Sequence, residues 1–303
     1  MPAPRDAILV KHVLTVLAAE AEHPLQRLIG ARLGWPPALA LAQVAAGSVY
    51  VDGRRQRDAN CGLRSGQKIV VFARAAASPA AADPPSELAF LDAELVVLVK
   101  RAGVPTIATR RGSEPSVADE VRQRWGTDAR VLHRLDREVS GLLLISRRQP
   151  TRAALAEQVR AHTLQRRYLA IVNGQPPWRE RLIELPLLFA HGLAQVAHHP
   201  AARPARTHLR LLAQRSGRAL LAITLDTGRP HQIRAHLAAA GLPLLGDTRY
   251  GGVAAPRVAL HAHALGLRHP RHGGWIELHS PLPLLLRQLW DEPPTRGPDS
   301  AER

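Results

Sequence analysis

Cysteine is nearly missing from this chain. Cys61 stands alone among 303 residues, which excludes an internal disulfide framework and any metal site built from several thiolates; we read it as a small buried hydrophobe. Lysine is almost as scarce, at Lys11, Lys68 and Lys100 only, so arginine carries the positive charge. The abundance of alanine beside it fits a GC-rich coding bias, and arginine usage by itself is weak evidence for phosphate recognition. No uninterrupted apolar stretch approaches the length of a membrane span. The opening MPAPRDAILVKHVLTV has charges on both sides of a short apolar patch and no small-residue cleavage signal, which argues against a signal peptide and for a cytoplasmic protein. Acidic residues are short too, 25 against 41 basic ones, and the net charge is +16. That is more than solubility requires and points to a polyanionic partner, of which nucleic acid is the commonest in a cell.

What is present suffices for a folded protein: 46% of the residues are apolar, and the length allows one large domain plus a small one. The small-residue, Pro-rich segment at 74–87 has linker composition, and DEPPTRGPDSAER from Asp291 reads as a flexible tail at 291–303. They bracket an N-terminal extension at 1–21, a small unit at 22–73 and a large unit at 88–290. In the small unit Leu25, Leu28, Ile29 and Leu33 fall at helical spacing before Gly34, and Pro36-Pro37 suits the first turn of a second helix that runs to Gly47. A short strand at Val49-Tyr50-Val51, an Asp52-Gly53 turn and a last strand from Lys68 to Phe72 follow. Arg54, Arg55, Arg57, Arg64 and Lys68 surround the turns. They suit RNA binding and equally a solvated basic face.

Two polar clusters in the large unit bear on chemistry. In HRLDREVSGLLLIS, residues 133–146, the run Leu142 to Ile145 reads as a strand buried on both faces, with Gly141 marking a close backbone approach at its start. Asp136 then lies in a loop at the strand's entrance, where a carboxylate can shape a turn, pair with Arg134 or Arg137, or do chemistry. In TGRPHQIRAHLAAAGLPLLGDTRYG, residues 227–251, Pro230 fits a first helical position and the helix ends at Gly241. His231, Arg234 and Ala238 share one face of it, beside an apolar stripe of Ile233 and Leu237. A guanidinium on so apolar a helix requires an anionic partner, for which Asp136 is a candidate.

These two segments resemble the signatures HRLDxxTSGLLL and TGRxHQIRxHxxxxGxPixGDxxYG of the RluA family of pseudouridine synthases. Between them RRYLAIVNG at 166–174 resembles the family's (K/R)-x-Y-x-A-x-V-x-G strand, and PARTHLRLL at 204–212, VALHAHALGLRHP at 258–270 and ELHSPLP at 277–283 follow in the family's order. The likeness spans some two hundred residues. Separately, GSVYVDG at 47–53 and LRSGQKIVV, after two helices, resemble an S4 RNA-binding domain. Its first two helices carry fewer basic residues than such a domain's RNA face.

The resemblance implies an α+β fold: a pseudouridine synthase domain with a bisecting, largely antiparallel mixed sheet, preceded by a small α+β S4-like domain. It implies isomerisation of uridine in RNA, with neither metal nor cofactor, on a nucleotide flipped into a pocket. By motif position Asp136 is the catalytic carboxylate, Arg234 holds it ionised and oriented, and Tyr168 stacks on the uracil with a later role for its phenol at C5. Ile233 packs against the base, Arg134 fills the vacated stack or contacts phosphate, and His133, Arg229 and His231 complete the substrate-binding set. The implied substrate is ribosomal RNA of the large subunit (23S), and the implied form is a monomer that binds no membrane; a tRNA-directed synthase and a non-catalytic RNA-binding protein with the same fold are the alternatives. Two departures stand out: Val139 replaces the usual threonine, and Arg101 replaces the proline that follows Lys100. The histidines of HAH at 261–263 and the pair His198-His199 lack acidic or cysteine ligands at a suitable spacing, so we expect no zinc site. Asp247 is read as fixing the GDTRYG turn.

Overall fold

A computed structural model describes residues 9–74, 86–108 and 114–291. The spans read as linker and tail fall largely outside these residues. In the small unit, strand β1 (Leu9–Thr15) precedes helices α1 (Leu25–Leu33) and α2 (Pro37–Ala45), then β2 (Val49–Val51), β3 (Arg54–Gln56) and β4 (Lys68–Arg74). Leu25, Leu28 and Ile29 of α1 pack on Ala40 and Val44 of α2 and on Val49, Ile69 and Val71 of the strands, all buried. Gly34 stops α1 in the left-handed conformation, φ 67°. Asp52 and Gly53 both have positive φ, as a two-residue hairpin turn demands, and the Asp52 carboxylate accepts from the Lys68 amide at 2.8 Å. Cys61 is only partly covered, not buried as expected, and the five basic side chains around the turns are exposed.

The large unit contains β5 (Ser86–Leu91), β6 (Leu95–Lys100), α3 (Val117–Trp125), β7 (Arg130–Val131), β8 (Ser140–Ser146), α4 (Gln149–Arg160), β9 (Gln165–Asn173) and β10 (Glu180–Glu184). A separate hairpin, β11 (Leu187–Ala190) and β12 (Leu193–Val196), precedes β13 (Arg206–Arg215), β14 (Arg218–Leu225) and α5 (Gln232–Ala239). After it come β15 (Leu260–Arg268), β16 (Trp275–His279) and α6 (Leu284–Asp291). One sheet runs β10-β13-β14-β9-β15-β16-β1-β4-β2-β3, and β8 branches from the start of β15, carrying β6, β5 and β7. Among the described residues only the β8–β15 pairing is parallel, so the α+β class with a mixed, largely antiparallel sheet stands. No helix among the described residues is long and apolar enough to cross a membrane.

β8 is buried on both faces, as its unbroken apolar run implies. Leu143 and Ile145 join Val121 of α3 and Leu237 of α5 in one core layer, while Leu142 and Leu144 join Leu155 of α4 and Leu278 in the other. At the branch point Gly141 has φ 123°, and a Cβ there would lie 2.3 Å from the carbonyl oxygen of Ala262. Glycine is therefore required for β8 to meet β15, and that meeting fixes the loop carrying Asp136.

β1 lies in the span read as an N-terminal extension, yet it is shared by both units. It pairs antiparallel with β4 on one side and β16 on the other. Val10 belongs to the core layer of Ile276 and Leu278. His12, 2% exposed, packs 5.6 Å from the Trp35 ring and 5.8 Å from that of Phe90; burial lowers its pKa to about 4, so the imidazole joins the units as a neutral ring. Cutting the chain at residue 75 would strip Val10 from that core and leave β16 with an open edge. We expect such a fragment to melt at lower temperature than the full chain and to self-associate in size-exclusion chromatography; an unchanged melting temperature would mean that β1 contributes nothing to the large unit.

Candidate active site

The loop between β7 and β8 is stitched to the segment after β6. Thr106 Oγ1 donates to the Leu135 carbonyl at 2.6 Å and accepts from the Leu135 amide at 3.2 Å. The Gly103 amide donates to the Arg137 carbonyl at 2.7 Å. Lys100 is fully buried and gives its three ammonium hydrogens to the carbonyls of Arg101, Val104 and Arg137. Burial pulls its pKa to about 7, with Arg257 adding to the effect and Asp136 and Glu138 opposing it. Three carbonyl acceptors match the charged form, the only one with three hydrogens. The loop is thus clamped on both sides of Asp136.

Opposite it, α5 starts at Gln232, two residues later than Pro230 at its first position would allow. His231 intervenes with φ 52° and ψ 20°, a left-handed conformation rarely adopted by a residue with a Cβ. Arg234 is 1% exposed, and its first partner is not Asp136. Its Nε and Nη2 donate to the two carboxylate oxygens of Asp247, both at 2.7 Å. Its Nη1 reaches Glu138 Oε2 at 3.2 Å and Asp136 Oδ2 at 3.4 Å, and the Tyr250 ring lies 5.0 Å from the guanidinium carbon. Burial works against the charge; the hydrogen bonds and charge of Asp247, with Asp136 and Glu138 behind them, overcome it and hold the guanidinium above its ordinary range.

Asp136, Arg134, Tyr168, Arg229, His231, Ile233 and Arg234 line one pocket of about 70 Å³. A cleft of about 660 Å³ shares Arg134, Asp136, Arg229 and His231 with it and adds His133 and Arg137. Tyr168 is 6% exposed. Burial raises its pKa, Arg166 opposes this and Asp136 adds to it, so the neutral phenol is the resting form. His133 serves the backbone: its Nε2 accepts from the Leu144 amide at 3.1 Å, and burial lowers its pKa to about 3. Arg134 is exposed, while Arg229 donates from Nε to the Pro204 carbonyl at 3.1 Å. Val139, the departure from threonine, is a buried part of the pocket wall.

A larger cavity, about 840 Å³, is lined by Lys100, Glu138, Ser140, Arg257 and His261 among others. Its buried polar groups are turned to internal bonds. Arg257 donates to Ser140 Oγ and to the carbonyls of Val258 and Leu260, and His261 lies between Ser140 and Ser280 at 2.8 and 3.1 Å. Chemistry is better served at Asp136, where a carboxylate, a phenol and a guanidinium converge on one pocket.

Sequence reasoning missed four residues here: Asp247 as the main partner of Arg234, Glu138 as the second carboxylate on Nη1, Tyr250 beneath the guanidinium, and Arg166 in the pocket wall. The demand for a buried counter-ion was visible; Asp247, thirteen residues after Arg234, also satisfies it.

Residues 94–239 match the family model described as RNA pseudouridylate synthase. An uncharacterized RNA pseudouridine synthase of Chloroflexus aurantiacus is 42% identical over 53% of this chain and 54% of its own length, so the chain spans about half of that relative. An uncharacterized RNA pseudouridine synthase of Zymomonas mobilis is 38% identical over 66% of this chain and 95% of its own length. The ribosomal large subunit pseudouridine synthase D of the same organism is 31% identical over 69% and 73%. Among solved structures, human RNA pseudouridylate synthase domain containing 4 superposes with a TM-score of 0.55 at 20% identity, covering 66% of this chain and 90% of its own, a likeness of fold.

Proposed function

Since the chain belongs to the RNA pseudouridylate synthase family, we propose that it isomerises uridine to pseudouridine in RNA, and that its substrate is the 23S RNA of the large ribosomal subunit. The observation that carries this reading is the meeting of Asp136 with buried Arg234 beside Tyr168 and Ile233 in a pocket continuous with an arginine-lined cleft.

The reaction breaks the N1–C1′ bond of the uridine, turns the uracil within the pocket and joins C5 to C1′, with loss of the C5 hydrogen. Asp136 supplies the ionised carboxylate, either adding to C1′ or taking a proton from the sugar. Arg234 keeps that carboxylate charged while being immobilised itself by Asp247. Tyr168 stacks on the extruded uracil. Removal of the C5 hydrogen by its phenol needs the ionised form, which burial disfavours, so stacking is the role its surroundings support. Ile233 packs on the base, and Arg134 fills the stack left by the flipped nucleotide. Arg229 and Arg137 along the cleft meet phosphates, whose charge suits guanidinium forks. His133 acts from behind, holding the loop to β8. No metal or cofactor enters these steps.

The small unit, read as S4-like, adds phosphate contacts through Arg54, Arg55, Arg57, Arg64 and Lys68. We take the protein to act as a cytoplasmic monomer. The large-subunit assignment leans on relatives named ribosomal large subunit pseudouridine synthase D, and the meeting of carboxylate, phenol and guanidinium favours an enzyme over a non-catalytic RNA binder. Carbodiimide mapping of RNA incubated with the purified protein tests the substrate. We expect new pseudouridine in large-subunit ribosomal RNA and none in tRNA; modification of tRNA alone would make it a tRNA synthase.

A further inference from the structure

Arg234 is not the only group facing the Asp136 carboxylate. His231 Nε2 lies 3.8 Å from Asp136 Oδ2, the same oxygen that Arg234 Nη1 approaches at 3.4 Å. The other face of the imidazole is anchored: His231 Nδ1 lies 2.9 Å from the Tyr250 hydroxyl. That hydroxyl oxygen already accepts the Ala194 amide hydrogen at 2.9 Å. A phenol has one hydrogen, and among the described residues Nδ1 is the acceptor it reaches. The arrangement that satisfies the hydroxyl hydrogen has Tyr250 donating to Nδ1, which leaves the imidazole hydrogen on Nε2, toward Asp136.

The ring is held from other sides as well. Phe189 of β11 meets it edge-on at 5.6 Å, and Tyr250 does so at 5.8 Å. The backbone gives up favourable geometry to hold this pose, since His231 is left-handed between Pro230 and the first residue of α5. One tyrosine thus supports both groups on the carboxylate: its ring lies beneath Arg234 and its hydroxyl sets His231.

We propose that His231 is a positioning residue for Asp136: its Nε2–H, in the tautomer imposed by Tyr250, joins Arg234 on Oδ2 and leaves Oδ1 as the oxygen that reacts. This rests on the reading of Asp136 as the catalytic carboxylate. At 3.8 Å the contact is electrostatic, and it tightens to a hydrogen bond as the nucleotide packs the pocket, as active-site contacts commonly do on substrate binding. The groups facing the imidazole are Asp136 and Glu138 from the loop before β8, Arg234 from α5, and Arg249 and Tyr250 from the turn Thr248–Tyr250. Burial lowers the pKa of His231, Asp136 opposes this, and Arg234 adds to it. The ring is neutral at physiological pH. Protonation at acid pH puts a hydrogen on Nδ1, displaces the Tyr250 hydrogen bond and sets a second full positive charge on Oδ2, which draws reactivity from the carboxylate.

The test is the single-turnover rate of pseudouridine formation as a function of pH, with thermal melting of each variant alongside. Because burial lowers the pKa of His231, the wild type should hold its rate through the ordinary histidine range, about pH 6.5, and lose it only below that range. His231→Gln keeps an N–H donor and cannot titrate, so it should stay within about tenfold of wild type and lose that acid limb. His231→Ala should fall by about 100-fold, the cost of a misplaced reacting group. Tyr250→Phe keeps the ring under Arg234 but frees Nδ1, so its acid limb should move to higher pH. A His231→Ala rate within twofold of wild type, or an unchanged acid limb in His231→Gln, would overturn the proposal. Asp136→Asn in the same assay keeps the two readings apart: turnover there refutes the underlying reading, whereas an inert Asp136→Asn beside indifferent His231 variants refutes only this one.

Discussion

Asp136→Asn should bind RNA as the wild type does and make no pseudouridine. Asparagine keeps the shape of the side chain but can neither add to C1′ nor take a proton from the sugar, so the rate should drop on the order of 10⁴-fold or more, as when a group acting as part of a catalytic unit is removed. Affinity should change little, because the arginines that line the cleft are untouched. Folding should survive too. Arg234 keeps its bidentate pair with Asp247 and its contact with Glu138 when the weaker Asp136 contact is lost. Nucleoside analysis of the RNA and a filter-binding titration measure the two halves, and substantial product would remove Asp136 from the chemistry.

Arg234→Met should be damaging in a different way. Arg234 and Asp247 are each 1% exposed, so a neutral side chain strands a buried carboxylate with Asp136 and Glu138 close by. Breaking a buried pair from one side costs about 3–5 kcal/mol. The rate should fall by at least about 100-fold, in the range found when a preorganised donor is lost from an active site. Pairing the change with Asp247→Asn should restore part of the stability, since the fully buried carboxylate is then neutral and only the more accessible Asp136 and Glu138 have lost a partner, without restoring activity. Urea unfolding of the two single variants and the double variant measures this coupling. Additive losses would show that the two side chains do not depend on each other.

Much of the architecture was legible because local signals and tertiary demands agree. The run Leu142 to Ile145 is buried on both faces as its composition requires, and Gly141 sits at a true backbone contact. The helices, the Asp52-Gly53 turn and the hairpin of the small unit follow their capping and turn residues. β1 was missed for a physical reason. Its inward positions are Val10, His12 and Leu14, and a histidine in the middle hides the alternation, while its partner β16 lies at the other end of the chain. The site was legible as a set of residues but not as a network. Motif position brought Asp136, Tyr168, Ile233 and Arg234 to one pocket, yet could not tell which carboxylate takes the bidentate bond. Asp247 takes it because the turn it begins closes against α5. Nor could periodicity show His231 outside the helix, since Pro230 is compatible with a first helical turn and only the backbone angles reveal the break.

Release of tritium from large-subunit ribosomal RNA labelled at uridine C5 tests the central claim most directly, because forming a C5–C1′ bond must expel that hydrogen whatever the order of the earlier steps. The account predicts that the wild-type protein releases tritium in an amount matching the pseudouridine formed, and that Asp136→Asn releases none. Absence of release by a folded, RNA-binding wild-type protein, or equal release by both, would contradict it.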